Sequence, residues 1–287
     1  MERFATFAFN WHPGHIASAT KALQTLVKQV DLVLDVRDAR APLSSITAVA
    51  EEVLHGSRDR LAVLNKRDLA DSAGLRRVVA AMEAGGLGVI AADGRERADC
   101  ARLRRELRRR ASASQREFRS LPFTVAVVGV PNAGKSTLIN SLRALGGKRA
   151  VVGTGGAPGV TRALRLFDVY DTQPRVQMVD APGVLPPGNC SGEWALKLAL
   201  LGAVKDSTLD LVAVADYALL ALNVAQERAY VDRFRLAGPV NDVEALLLAV
   251  AACSGGMGAD GCVNRERAAL AFVRALRDGK LGPIMLD

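Results

Sequence analysis

The sequence has little of what would staple, anchor or export a chain. Its four cysteines, Cys100, Cys190, Cys253 and Cys262, lie far apart. None belongs to a C-x-x-C pair and no histidine stands beside one at zinc-ligand spacing. A disulfide framework and a structural zinc site are therefore excluded as organising devices, and reduced thiols in an intracellular compartment are expected. Long hydrophobic runs are missing too. The stretch 209–224 is interrupted by Asp216 and the stretch 243–253 is too short, so no transmembrane helix is expected. The first residues mix Glu2 and Arg3 with Phe4, Phe7 and Phe9; they are too short for a secretory signal, and they demonstrate no cleaved mitochondrial leader either. Lysine contributes far less than arginine to the net charge of +8, a basic balance that favours polyanions such as RNA.

What is present describes a soluble globular chain. With 49% apolar and 24% charged residues over 287 positions, it can bury one large core, or a main domain of about 150–200 residues with a smaller companion. Short apolar runs closed by polar residues recur at 31–36, 61–64, 87–90, 123–128, 163–170 and 175–179, with helix-like segments between them. That alternation predicts a doubly wound α/β fold with a mostly parallel six-stranded sheet. From Trp194 onward the strand signals stop, and apolar positions recur at helical spacing over 194–204, 209–225, 243–252 and 265–276. A glycine-rich loop at 254–261 separates the last two of these helices, and Gly279, Gly282 and Pro283 end the last.

Four motifs carry chemistry. Gly129-Val-Pro-Asn-Ala-Gly134-Lys135-Ser136-Thr137 follows one strand and opens a helix, the context in which backbone N–H groups converge on phosphates. Asn132, Ala133, Gly134, Lys135, Ser136 and Thr137 are expected to hold the phosphates, with Lys135 reaching the β and γ groups and the Ser136 hydroxyl ligating Mg²⁺. The pattern alone does not separate ATP from GTP. Asn65-Lys66-Arg67-Asp68 closes the strand 61–64, where open α/β sheets place ligand contacts. The Asp68 carboxylate can accept from guanine's ring N–H and exocyclic amine, a donor pair that adenine lacks. Asn65 is expected to tie the neighbouring loops, the Lys66 stem to cover the base, and the Ala91-Ala92 backbone to meet the guanine carbonyl through the Ala92 N–H. Asp180-Ala-Pro-Gly183 closes a further strand, placing Asp180 at a Mg²⁺-bound water and the Gly183 N–H at the γ-phosphate, while Thr161 supplies a second Mg²⁺ ligand. Each piece by itself has a glycine- or proline-rich turn as its other reading; together at strand ends they describe one nucleotide site.

The motif order is unusual: the base reader at 65–68 precedes the phosphate loop at 129–137, which precedes Thr161 and Asp180–Gly183. In that order, and in Trp11-His-Pro-Gly-His15, Asp35-Val-Arg-Asp-Ala-Arg40-Ala-Pro and the segment 269–281, the chain resembles the circularly permuted P-loop GTPases of the YlqF/RbgA group nearly end to end. Gly156–Ala163 and Val214–Tyr217, with Leu222-Asn223 following, resemble the mitochondrial ribosome-associated branch. The resemblance implies an N-terminal segment and helix (1–30), a circularly permuted GTPase domain (31–190) and a C-terminal helical, partner-binding domain (191–287). It implies GTP and GDP as ligands with Mg²⁺, and K⁺ held with the help of Asn132. It further implies a GTP hydrolase that assembles the large ribosomal subunit precursor, with rRNA, ribosomal proteins and other assembly factors as partners. The compartment implied is the mitochondrial matrix, the cytoplasm of the bacterial-type relatives being the alternative. The chain departs from the group at Ala91-Ala92, where a small polar residue is usual, at His12, where an aromatic is usual, and in the loosely matching segment 223–260.

Three readings concern turnover and partners. Val184 stands where many GTPases place a water-orienting glutamine, so unassisted hydrolysis is expected near ~10⁻⁴ to 10⁻² s⁻¹. The resemblance nominates His15 as the catalytic group, since imidazole can position or deprotonate water at neutral pH; an ordinary surface or capping histidine beside Pro13-Gly14 is the other reading. A scaffold that holds nucleotide without turnover is the rival to the enzyme. Finally, residues 95–119 hold ten arginines, with Leu103 and Leu107 four apart, the pattern of an amphipathic helix. Arg102, Arg105, Arg108 and Arg109 are candidates for facing RNA, against a solvated connecting helix partly neutralised by Glu96, Asp99 and Glu106.

Overall fold

The structure is a computed structural model that describes residues 4–11, 14–46, 51, 59–114, 121–150, 165–170, 173–181, 183, 188–257 and 262–287. A short strand β1 (Ala8–Trp11) and helix α1 (Gly14–Gln29) lead to β2 (Leu32–Asp38), β3 (Arg60–Asn65), α2 (Ser72–Ala84), β4 (Gly88–Ala92), α3 (Arg97–Ala113) and β5 (Phe123–Val128). Helix α4 (Lys135–Ala144), β6 (Arg165–Tyr170) and β7 (Val176–Asp180) follow. The main sheet has six strands in the order β4-β3-β2-β5-β7-β6, parallel except for β6 at one edge, which runs against β7. The expected mostly parallel sheet is therefore present, with boundaries shifted by a few residues. The strand expected over 163–170 is seen as Arg165–Tyr170, and residues 163 and 164 lie outside the described ones.

Covering helices explain the apolar strand runs. All seven residues of β2 are buried, as a strand sandwiched between helix layers requires. Helix α3 turns Cys100, Leu103, Leu107 and Ala111 inward at three- and four-residue steps, and Arg102, Arg105, Arg108 and Arg109 take the exposed faces. Asp71, Glu96, Asp210, Asp242 and Asn264 each cap a helix by accepting from backbone N–H groups, worth about 1 kcal/mol apiece.

After β7 the chain makes β8 (Gly188–Ser191), which pairs antiparallel with β1 as a separate two-stranded sheet. Neither strand was anticipated: each has four residues, and Gly-Asn-Cys-Ser carries no strand-favouring pattern. The remainder is helical: α5 (Gly192–Leu200), α6 (Leu211–Val224), α7 (Ala229–Arg233), α8 (Val243–Ser254) and α9 (Arg265–Arg277). Four match the expected helices; α7 is too short to have shown a period. Of the glycine-rich loop, residues 258–261 lie outside the described ones, and Met257 bridges to Val263.

Leu247 and Phe272 of this helical part belong to the same buried apolar cluster as Val125 and Val127 of the sheet. The last residues run back to the sheet's edge of the site: Leu286 N donates to Arg40 O at 2.7 Å, and the Asp287 side chain accepts from Leu43 N at 2.6 Å and Ser44 N at 2.9 Å. Cys100 and Cys190 are buried thiols, with burial pushing the Cys100 pKa up to about 11; Cys253 and Cys262 are exposed. No described helix is long and apolar enough to cross a membrane.

Candidate functional site

Strand order decides where a ligand can sit. The chain builds β2, β3 and β4 outward in one direction, then returns to place β5 on the other side of β2. Such a switch point opens a crevice at the carboxyl ends of the strands. Asp38 at the end of β2, Asn65 at the end of β3, the loop after β5 and Asp180 at the end of β7 all reach that edge.

The loop after β5 begins at Gly129, whose φ of +145° and closeness to the β2 backbone leave no room for a side chain; a Cβ would lie 2.0 Å from Val36 O. It ends at Gly134, with φ +93°, immediately before α4, and no side chain caps that helix. The first N–H groups of α4 are thus presented to the crevice, with the partial positive charge of a helix start. Lys135 is buried and its Nζ donates to Gly129 O and Val130 O, both at 3.0 Å. Burial lowers its pKa to about 8; Asp180 opposes the fall and Lys66 adds to it. The Ser136 hydroxyl reaches the wholly buried Asp180 carboxylate at 3.4 Å. Gly183 packs against Pro131, where a Cβ would stand 2.7 Å from the proline nitrogen.

Asn65 joins the two halves of the site. Its Nδ2 donates to Ala133 O of the phosphate loop at 2.8 Å, and its Oδ1 accepts from Gly94 N of the next loop, also at 2.8 Å. Lys66, in the left-handed region at φ 61°, sends its Nζ to Asn132 O at 2.6 Å and to Asp38 Oδ2 at 3.0 Å. Burial pulls the Lys66 pKa down, and Asp38 only partly offsets this. Asp68 receives Arg95 Nη2 at 2.7 Å, and Arg95 Nε also reaches Asp93 at 3.2 Å. Arg67 pairs with Asp99, which in turn accepts from Asp93 N at 2.8 Å, so the 65–68 turn and the 93–94 loop share one anchor. Ala92 is buried at the end of β4, and Ala91 O accepts from Arg102.

Two of the residues expected to act cannot be placed fully: Thr161 lies outside the described residues, and of His15 only the backbone, in the first turn of α1, is described; Val184, expected to be inert, lies outside them too. Of the arginines on α3, Arg109 pairs with Glu106, Arg102 is held by Ala91 O, Arg108 reaches Gln173 O at 3.5 Å, and Arg105 makes no ion pair among the described residues. Arg104 and Arg110 face inward, bonding Leu145 O and the Glu106 and Asp59 carboxylates.

Sequence reasoning missed a support behind the site. Asp38 and Arg40, each 1% exposed, form a two-pronged ion pair with both contacts at 2.9 Å, and the same carboxylate holds Lys66. Burial pushes the Asp38 pKa up, but Arg40 and Lys66 outweigh it and hold the group well below the usual carboxylate range. Charges closing an otherwise apolar central strand, Asp35-Val-Arg-Asp-Ala-Arg, were the available signal. Also missed was the far wall of the cleft. One cavity of about 580 Å³ is lined by Asn65, Lys66, Gly134 and Thr137 on one side and by Gly202, Arg274 and Arg277 of the helical part on the other. Asn132 Nδ2 donates across to Leu201 O at 2.9 Å. Arg277 locks that wall through Ala199 O at 2.7 Å, Leu200 O at 3.0 Å and Asp206 at 2.8 Å.

Comparison with known proteins agrees with this geometry. The family described as 50S ribosome-binding GTPase matches residues 124–238. Mitochondrial ribosome-associated GTPase 1 of Xenopus tropicalis is 34% identical over 97% of this chain and 94% of its own length. The Mus musculus protein of that name is 37% identical over 96% of this chain and 89% of its own. Ribosome biogenesis GTPase A of Bacillus cereus is 32% identical over 96% and 93%. Among solved structures, GNP-bound YlqF from T. maritima superposes with a TM-score of 0.67 over 94% of this chain and 97% of that one, at 24% identity.

Proposed function

Because the chain belongs to the YlqF/RbgA family of circularly permuted GTPases, we propose that this GTP hydrolase times a step in assembly of the large ribosomal subunit in the mitochondrial matrix, with rRNA and ribosomal proteins as its partners. The observation that carries the reading is the pair of hydrogen bonds at Asn65, one donated to Ala133 O and one accepted from Gly94 N, which bind segments distant in sequence into one cleft. Within it, guanine takes the Asp68 carboxylate from Arg95, and the Ala92 N–H serves the base carbonyl beside Ala91. The amides of Asn132, Ala133, Gly134, Ser136 and Thr137 surround the phosphates, and Lys135 exchanges two loop carbonyls for phosphate oxygens.

The donor set suits Mg²⁺. A hydroxyl and a carboxylate, Ser136 and Asp180, already meet at 3.4 Å at the end of β7, and both are the hard oxygen donors that this ion prefers. Thr161 would complete the set. The ion, when bound, neutralises charge on the β- and γ-phosphates. A K⁺ ion beside the loop would use the oxygen of Asn132, since the amide nitrogen is committed to Leu201 O. His15 acts on the attacking water in place of Val184, and the Gly183 N–H holds the γ-phosphate.

The switch at Asp180–Gly183 lies only nine positions before α5, which starts at Gly192. Loss of the γ-phosphate therefore pulls directly on the helical part, and nucleotide state sets its grip on the particle. Residues 1–30, 31–190 and 191–287 are the corresponding working units. The face of α3 with Arg105 at its centre, flanked by Arg102, Arg108 and Arg109, approaches RNA phosphates. The test is phosphate release from GTP with and without large ribosomal subunits. A stimulation of tenfold or more is expected; equal rates would remove the assembly role and leave a nucleotide-holding scaffold.

A further inference from the structure

The far wall of the cleft belongs to helices that no phosphate-loop or base-reading motif includes. Arg274 and Arg277 lie three apart on α9 and so project from one face. Arg277 is fully engaged by Ala199 O, Leu200 O and Asp206, and serves as a brace. Arg274 differs: it is exposed to the cleft and, among the described residues, its guanidinium has no hydrogen-bond or ion-pair partner. The other charges of the cleft are committed. Lys66 holds Asp38, Arg95 holds Asp68 and Asp93, Asp206 holds Arg277, and Asp278 holds Lys280. An uncompensated guanidinium across from the start of α4 faces the place where a nucleotide's phosphate-bearing side must lie, and a planar guanidinium suits phosphate oxygens.

We propose that Arg274 is a nucleotide-binding residue supplied by the helical part, contacting the α-phosphate side of bound guanosine di- or triphosphate across the cleft from Thr137. This rests on the reading of the cleft as the nucleotide site. Its consequence is mechanical: the nucleotide itself then fastens α9 to the phosphate loop, alongside the Asn132–Leu201 bond, so occupancy and the pose of the helical part are thermodynamically linked.

The experiment measures affinity of the full chain for fluorescent GDP and GTP analogues in wild type, Arg274→Ala, Arg274→Gln and Arg274→Lys, with melting temperature recorded without nucleotide. Arg274→Ala and Arg274→Gln are expected to raise Kd about tenfold for GDP and GTP alike, with Arg274→Lys recovering part of the loss and all nucleotide-free melting temperatures unchanged. Equal factors for the two nucleotides mark a contact that does not depend on the γ-phosphate. Wild-type binding with both neutral variants within twofold of it overturns the proposal while leaving the nucleotide site intact. So does an unchanged Kd accompanied by lost stimulation by large subunits, which would place Arg274 against the particle instead. Failure of wild type itself to bind GDP saturably would sink the underlying reading as well.

Discussion

The nucleotide side and the helical side of the molecule bury different kinds of atoms. Around the ends of β2, β3, β5 and β7 the interior holds Asp35, Arg37, Asp38, Arg40, Asn65, Lys135 and Asp180, all nearly inaccessible. Among the described residues beyond Asp180 the one charged side chain buried to that degree is Asp287 at the end of the sequence, and the interior of the helical part is built from residues such as Leu222, Leu247, Val250 and Phe272. Buried charge contributes little net stability, because desolvation cancels most of the attraction, whereas buried apolar surface contributes about 25 cal/mol per Å². One region spends polar groups on holding loops in position for a ligand. The other supplies cohesion and presents a wall.

That contrast is broken most severely by removing one member from each interior. Arg40→Ala leaves the Asp38 carboxylate buried with only Lys66, and should destabilise the chain by about 3–5 kcal/mol in urea titration. It should also weaken GDP binding, because Lys66 loses its fixed support. Leu247→Ala should cost about 2–5 kcal/mol by leaving a cavity in the helical core, yet leave GDP affinity within twofold under conditions where the protein is folded. If both substitutions cost affinity equally, the division between positioning and cohesion is wrong.

A smaller effect should fall on selectivity alone. Asp68→Asn replaces one of the two acceptor oxygens that face guanine's donors by an NH2 donor, so discrimination between GDP and inosine or adenine diphosphates should shrink by about 1–3 kcal/mol. Melting temperature without nucleotide should hardly move, since Asp68 is partly exposed and, among the described residues, its one ion pair is with the exposed Arg95. Undiminished guanine preference would contradict the assignment of the base reader.

The smallest expected effect is on pH dependence. Burial brings the Lys135 pKa down to about 8, so without nucleotide the folded chain releases this proton well before the unfolded chain does. The penalty of the buried charge is present below that pH and is relieved as pH rises toward the unfolded value, so nucleotide-free stability should rise slightly above pH 8. Affinity should move the other way, since phosphate needs the ammonium: GDP binding should weaken by roughly fourfold between pH 6.5 and 8.5, as one titration near 8 requires. A flat affinity profile over that range would show that Lys135 keeps its charge in the empty cleft.

The motifs were legible because their chemistry is local. A phosphate loop needs glycines at Gly129 and Gly134 and a lysine at Lys135 in fixed succession, and a base reader needs Asp68 at a strand end; both leave a pattern in consecutive residues. The sheet was legible for the same reason, since strands buried on both faces must be nearly continuous apolar runs. The β1–β8 pair and α7 left no such pattern, being four or five residues long and stabilised by what they pack against.

Sequence alone determined most of the strand and helix succession and the permuted motif order, because each follows from neighbours along the chain. Only the tertiary structure decided that Asp38 and Arg40 brace Lys66, that Asn65 closes the two loops on each other, and that α9 forms the opposite wall of the cleft. These are contacts between residues tens to hundreds of positions apart, with Arg40 and Arg277 separated by 237. Their partners are chosen by strand order and helix packing, which no local run of amino acids encodes.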